Sequence, residues 1–135
     1  MDKLAQAQMY YDFLRREGYD PEIDDDGDVI FRDGDRVYLI LIDEKDEEFF
    51  RLVFPNFWSI TSQKERERVE RAALHATAMT KVAKVFPVRN NVWATVEMFV
   101  SPIEGFMPVF ERSMRALNVA VHSFVQKMRE EDDDE

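Results

Sequence analysis

Between Asp28 and Trp58 the apolar residues follow a period of two, and only short turns interrupt them. "DVIFRD" (28–33), "RVYLILID" (36–43) and "FFRLVFPNFW" (49–58) read as three strands, separated by "GD" (34–35) and the charged "EKDEE" (44–48). Parallel neighbours need a crossover of a dozen residues or more, so these strands pair antiparallel. "RVYLILID" is apolar at successive positions, which predicts a central strand covered on both sides. Just before it, "YDPEI" reads as a short edge strand, a place that suits Pro21.

Helical periods flank this block. Leu4, Ala7, Tyr11 and Leu14 mark a helix over 2–17, stopped by Gly18. Ser62 with Glu65 three residues later is a capping box opening a second helix, whose stripe is Val69, Ala72, Ala73, Ala76 and Met79. "TKVAKVFPV" (80–88) and "NVWATVEMFV" (91–100) then form a hairpin, with Asn90 and Asn91 expected to supply the positive φ of its turn. In its second strand Val92, Ala94, Val96, Met98 and Val100 share one face, and Trp93, Thr95, Glu97 and Phe99 the other. Ser101-Pro102-Ile103-Glu104 repeats the capping pattern, but Gly105 and Pro108 predict an irregular turn before a long helix with Phe110, Met114, Leu117, Val121, Phe124 and Met128 on its apolar face. The order α-β-β-β(-β)-α-β-β-α predicts a single α+β domain over 1–129, an antiparallel sheet of five or six strands with three helices.

Charge narrows the partners. The chain of 135 residues holds 28 acidic and 18 basic side chains, for a net −10. Six of the acids form the terminal "EEDDDE" (130–135), expected to be disordered; without them the net is −4. Such a field repels nucleic acid and anionic lipid, and no basic stripe with interleaved aromatics opposes it. There are no cysteines, hence no disulfide, thiolate metal site or thiol nucleophile. With neither an apolar leader nor a run of membrane-spanning length, the expected location is the cytoplasm.

"EIDDDGDVIF" (22–31) raises the question of calcium. Glu22, Asp24, Asp26 and Asp33 partly match the alternating oxygen ligands of an EF-hand loop, and Gly27 takes the sixth position. The flanks are strands where that motif needs helices, and the last acid is Asp where Glu is wanted. The expectation is therefore an Asp-Gly hairpin turn with no metal, the alternative being a small-ligand or calcium sensor built on those four residues. His75 and His122 lie beside helical stripes, far apart and outside any ligand motif, and are expected to be structural or at the surface. Glu97 is expected to face solvent with Trp93 and Thr95; the alternative is a buried acid of raised pKa. No Gly-rich phosphate loop and no nucleophile elbow are present, so neither catalytic residues nor a cofactor are assigned, and the protein is expected not to be an enzyme.

The aromatic residues hold more promise. Phe49, Phe50, Phe54, Phe57 and Trp58 cluster in one strand and its exit, and Phe99, Phe106 and Phe110 before the last helix. Most belong in a core, but alternation sends some to the outer face of the sheet, where uncovered aromatics make an interaction surface. Trp58, Trp93 and Phe99 are the candidates for a dimer or partner surface.

The stretch "DDDGDVIFRDGDRVYLILIDEKDEEFFRLVFP", ending in Arg51-Leu52-Val53-Phe54-Pro55, resembles the first half of YbjN-type bacterial proteins. The Ala-rich helix, "TKVAKVFPV", the strand ending "EMFV" and the helix around "FERSMRAL" resemble the second half. The resemblance spans residues 2–129. It implies a fold similar to type III secretion chaperones, a homodimer, and the binding of an extended or amphipathic segment of a protein partner. YbjN-type proteins are also described as sensory-transduction regulators. No catalytic residue follows from the family. An acidic protein of this kind is expected to favour a basic amphipathic partner.

Overall fold

The computed structural model of the protein describes residues 1–133. Its elements run α1 (Lys3–Arg16), β1 (Asp20–Ile23), β2 (Val29–Asp33), β3 (Arg36–Ile40), β4 (Phe49–Phe54), α2 (Gln63–Met79), β5 (Ala83–Val88), β6 (Asn91–Phe99), a 3-10 segment (Ile103–Val109) and α3 (Phe110–Asp133). The six strands form one antiparallel sheet in the order β1-β2-β3-β4-β6-β5. The fold is α+β, with the predicted order of elements.

Local signals explain most of the boundaries. The Asp2 carboxylate accepts from the Ala5 N–H at 2.8 Å and caps α1. Ser62 Oγ accepts from the Glu65 N–H at 3.1 Å, and Glu65 Oε1 reaches back to the Thr61 N–H at 2.9 Å, one residue earlier than a capping box places it. β4 ends at Phe54, short of the predicted Trp58, because Pro55 lacks a ladder donor and Asn56 turns left-handed at φ 53°. The β5–β6 turn is Arg89-Asn90, with the positive φ at Arg89 (54°) where Asn90 and Asn91 were expected to supply it. Arg66 of α2 stabilises this turn, donating to the Arg89 carbonyl at 2.7 Å and to Asn90 Oδ1 at 3.1 Å. Ser101 does not cap the 3-10 segment, which starts after Pro102 and closes with Gly105 N–H donating to the Pro102 carbonyl at 2.9 Å.

α1 and α3 bury their stripes against one face of the sheet, and α2 packs on α3 and on the edge strand β5. Tyr10 and Phe13 of α1, Phe106, and Phe50 of β4 meet edge-to-face, tilted or stacked with centroids 4.9–6.2 Å apart. Val69, Ala72 and Ala76 bring α2 close to α3, whose Leu117, Val121, Phe124 and Met128 close the same core. Where the two helices run side by side, Arg68 donates to the Met128 carbonyl at 2.9 Å and Arg71 pairs with Glu131 at 3.1 Å. α3 runs on to Asp133, past Arg129 where the ordered chain was expected to end, and Glu131 of this extension pairs with Arg71 and Arg68 of α2. Residues 134–135 of the predicted acidic tail lie outside the described residues.

Among the described residues no layer lies over the other face of the sheet. This corrects the expectation that "RVYLILID" is covered on both sides. Tyr38 and Ile40 of β3 are buried in the core, whereas Val37 and Leu39 are half-buried on the open face.

Candidate interaction surface

Register defines the open face. Ile30, Leu39, Val53 and Thr95 lie across β2, β3, β4 and β6 in one row, with Lys84 of β5 after them. Val53 and Thr95 are fully buried although no helix covers them, and Val53 lies outside the main core cluster. Their in-register neighbours, Leu39 on one side and Lys84 on the other, carry longer side chains. The next row holds Arg51 opposite Glu97, and the end row Phe49 opposite Phe99.

Two regions of this face differ in chemistry. At the end of β6, Phe99 is 81% exposed and leans on Phe49 at a centroid distance of 5.8 Å. Nearer the middle, Glu97 Oε2 accepts from Thr95 Oγ1 at 2.7 Å, meets Lys84 Nζ at 3.0 Å and faces Arg51 Nε at 3.6 Å. Burial pushes the Glu97 carboxyl up, but the Thr95 hydroxyl, Lys84 and Arg51 outweigh it and hold the pKa below the usual carboxylate value. Glu97 is on the predicted face, and its shift is opposite to that of a buried general acid. At the far end Trp93 is half-buried across from Phe86, and its Nε1 donates to Asn56 Oδ1 at 3.0 Å.

Of the three predicted surface aromatics, two share the open face, at opposite ends of β6. Trp93 and Phe99 lie on the open face of β6. Trp58 lies on the helical side, edge-to-face with the core residue Phe124 at 5.6 Å. The alternation that guided its placement ends with β4 at Phe54, so its parity does not carry past Pro55. Phe49, Phe86, Arg51 and Lys84 belong to the surface and were not singled out as a group. Their signal is cross-strand register, which hairpin lengths alone do not give for the nonadjacent pair β4 and β6.

Both edges of the sheet are closed to further strands. On β5, Thr77 of α2 takes the place of a neighbouring strand: its Oγ1 accepts from the Val85 N–H at 2.9 Å and donates to the Val85 carbonyl at 3.3 Å. Pro87, two residues on, has no N–H to offer. On β1, Pro21 sits between the exposed acids Asp20 and Glu22.

The acidic turn is self-satisfied. Asp24 Oδ1 accepts from the N–H groups of Asp26 (3.0 Å) and Asp28 (2.9 Å), and Gly27 takes φ +83°. Asp28 in turn accepts from the Ile42 N–H at 2.9 Å and pairs with Lys3 at 3.5 Å. Asp33 stands at the opposite end of β2, about 17 Å from the turn at the rise of an extended strand, so Glu22, Asp24, Asp26 and Asp33 do not converge. Among the described residues no group of three or more His, Cys, Asp or Glu is placed to hold a metal ion. His75 and His122 are both exposed, on α2 and α3. No helix among the described residues is long and apolar enough to cross a membrane.

In comparisons with protein-family models, with curated proteins and with solved structures, nothing matches this chain.

Proposed function

We propose that the chain is a non-enzymatic protein-binding module of the YbjN or secretion-chaperone-like kind, acting as a homodimer that buries an apolar or amphipathic segment of a partner. The observation that carries this reading is Phe99, 81% exposed at the end of a sheet face that no helix covers. An aromatic of this size held in water by a rigid strand is a typical anchor at protein interfaces. The closed edges argue for the mode of contact. With Thr77 and Pro87 on one side and Pro21 on the other, a partner does not add a strand; it lies across the face. The Thr95–Glu97–Lys84–Arg51 cluster gives that face a polar centre between two aromatic ends, which favours a segment with charge between apolar positions. The resemblance carried by Arg51-Leu52-Val53-Phe54-Pro55 and the order of elements supports the same reading, the homodimer included.

The test is capture of partners from the protein's own cell extract by the tagged wild type and by Phe99→Asp, with sedimentation velocity of both proteins. A partner retained near stoichiometry by the wild type and lost by the variant is the expected result. Equal retention by both places the contact elsewhere and defeats this reading of the face.

A further inference from the structure

A second surface lies away from the open face, where α2 ends and α3 begins. Here the two helices diverge and leave a groove of about 590 Å³. Met98, Val109 and Ala116 form its apolar floor. Its lips are the exposed Met79 (69%), Val82 (59%) and Val119 (57%). The backbone at Val82 is left-handed, φ 55°, a conformation that a β-branched residue rarely adopts. Local strain therefore accompanies an apolar side chain held in solvent at the rim of an apolar groove. Strain of this sort gathers at ligand clamps more than elsewhere.

Charge identifies the occupant. Lys81, Arg112 and Arg115 line the groove, and none of them has a hydrogen bond or ion pair among the described residues. Three unpaired cations in one place run against a chain of net −10. On α3, Arg112, Arg115, Ala116 and Val119 follow the i, i+3, i+4, i+7 spacing of a single helix face, so cation and apolar contacts are offered together. A ligand that fits must carry apolar side chains for the floor and carboxylates for the rim.

We propose that this groove docks an acidic amphipathic helix of a partner protein. The inference rests on the reading of the chain as a protein-binding module and names the partner chemistry. It also reverses the basic partner that the overall charge suggests: at contact distance the three local cations dominate over the distant net field. The chain's own acidic tail is the wrong occupant. "EEDDDE" has no apolar side chain, and α3 carries Asp133 about 27 Å along its axis from Arg115 at the helical rise.

The test is fluorescence anisotropy with two designed amphipathic helices of about four turns, sharing a Leu/Met face and differing in a Glu or a Lys polar face. The Glu peptide should bind saturably, at least about tenfold more tightly than the Lys peptide, and weaken as salt is raised. Charge reversal by Arg112→Glu with Arg115→Glu should invert the preference. Ala116→Arg, which fills the floor and adds a cation, should weaken the Glu peptide although it improves the charge. Both arginines are exposed, so these variants should keep the wild-type circular dichroism. Equal affinity for the two peptides, no saturable binding of either, or indifference to the charge reversal overturns the proposal. So does a dimer that dissociates on that reversal, since the occupant is then a second copy of this chain. Loss of peptide binding beside a Phe99-dependent partner would remove the groove alone and leave the open-face reading standing.

Discussion

Phe49 and Phe50 are neighbours in the chain, and their fates are opposite. Phe50 points to the helical side, fully buried and stacked on Phe106 at 5.3 Å. Phe49 points to the open side, half-buried and paired at 5.8 Å with Phe99, which is largely in water. Both are aromatic residues on one well-paired strand, so propensity and backbone bonding are the same for each. The difference is cover: helices bury one row of side chains and none buries the other. On the inner face an aromatic ring is a source of stability. On the outer face an equal ring contributes little to folding, and its area stays available for association.

The comparison breaks most readily at its inner end. Phe106 touches Tyr10, Phe13, Phe50 and Phe110 and is fully buried. Phe106→Ala should cost about 3–5 kcal/mol, the usual penalty for truncating a large core aromatic. A guanidinium denaturation curve at fixed slope measures it. A loss below about 1 kcal/mol would mean that the inner face is not a tight core, and the contrast would fail. One step outward lies Gly105. A Cβ there would stand 2.7 Å from Val100 Cγ1, beside the last residue of β6, so either the Val100 side chain or the 3-10 segment must shift. Gly105→Ala should destabilise by about 1–3 kcal/mol, the range of overpacking. Val100→Ala in the same chain should recover part of that loss, which distinguishes a steric clash from a change in backbone entropy.

How far this contrast was legible beforehand depends on the physical source of each feature. Periodicity and caps are local, so the strands from Val29 onward, the α2 start at Ser62 and the α+β order followed from nearby residues, with five or six strands expected and six present. Cover is not local. "RVYLILID" reads as doubly covered because Val37 and Leu39 are apolar, yet the described residues form no second layer, and only the count and direction of the helices decides that. Trp58 lies apart from the other two candidates for a different reason: past Pro55 and the left-handed Asn56 the alternation of a strand no longer fixes which side a residue faces. The last turns of α3 bring Glu131 to Arg71, sixty positions away along the chain, a pairing without any local trace. Arg112 and Arg115 share a helical face through their spacing on α3, but that they line a groove depends on Met79 to Val82 arriving from the end of α2, which no local pattern gives.

The polar middle of the open face sharpens the comparison through pH. Glu97 holds a proton less readily than an ordinary carboxylate, so the folded state gains from its ionisation. That contribution is full above the unfolded pKa, near 4.5, and is lost as pH falls through the lower folded value. Glu97→Gln should therefore cost about 1–2 kcal/mol at pH 7, in the range of a hydrogen bond to a charged group. The gap between variant and wild type should narrow on acidification below pH about 4. Melting temperatures across that range are the measurement. A gap that stays constant down to pH about 2 would show that the side chain matters for shape and not for charge. Glu131 is shifted in the same direction, chiefly through its hydrogen bond with Arg71. The variant must therefore be compared with the wild type at each pH, so that the acid-sensitive α2–α3 pairing cancels.

The smallest expected effect on stability belongs to Phe99, and it bears most directly on function. With 81% of its surface already in water, Phe99→Ala removes little buried area. What it does remove is one cross-strand aromatic pair, worth about 0.2–1 kcal/mol. The double cycle with Phe49→Ala should return a coupling of that size, read from denaturation midpoints of the two single variants and the double. A much larger coupling would mean that the pair is structural and that the end of β6 is part of the core after all. A coupling inside that range, together with loss of partner capture by Phe99→Asp, separates the two faces by their energetics: the inner face loses stability when a ring is truncated, and the outer face loses association. The two effects need not appear in the same assay, and a ring that matters for binding while hardly mattering for folding is the signature expected of an interface residue.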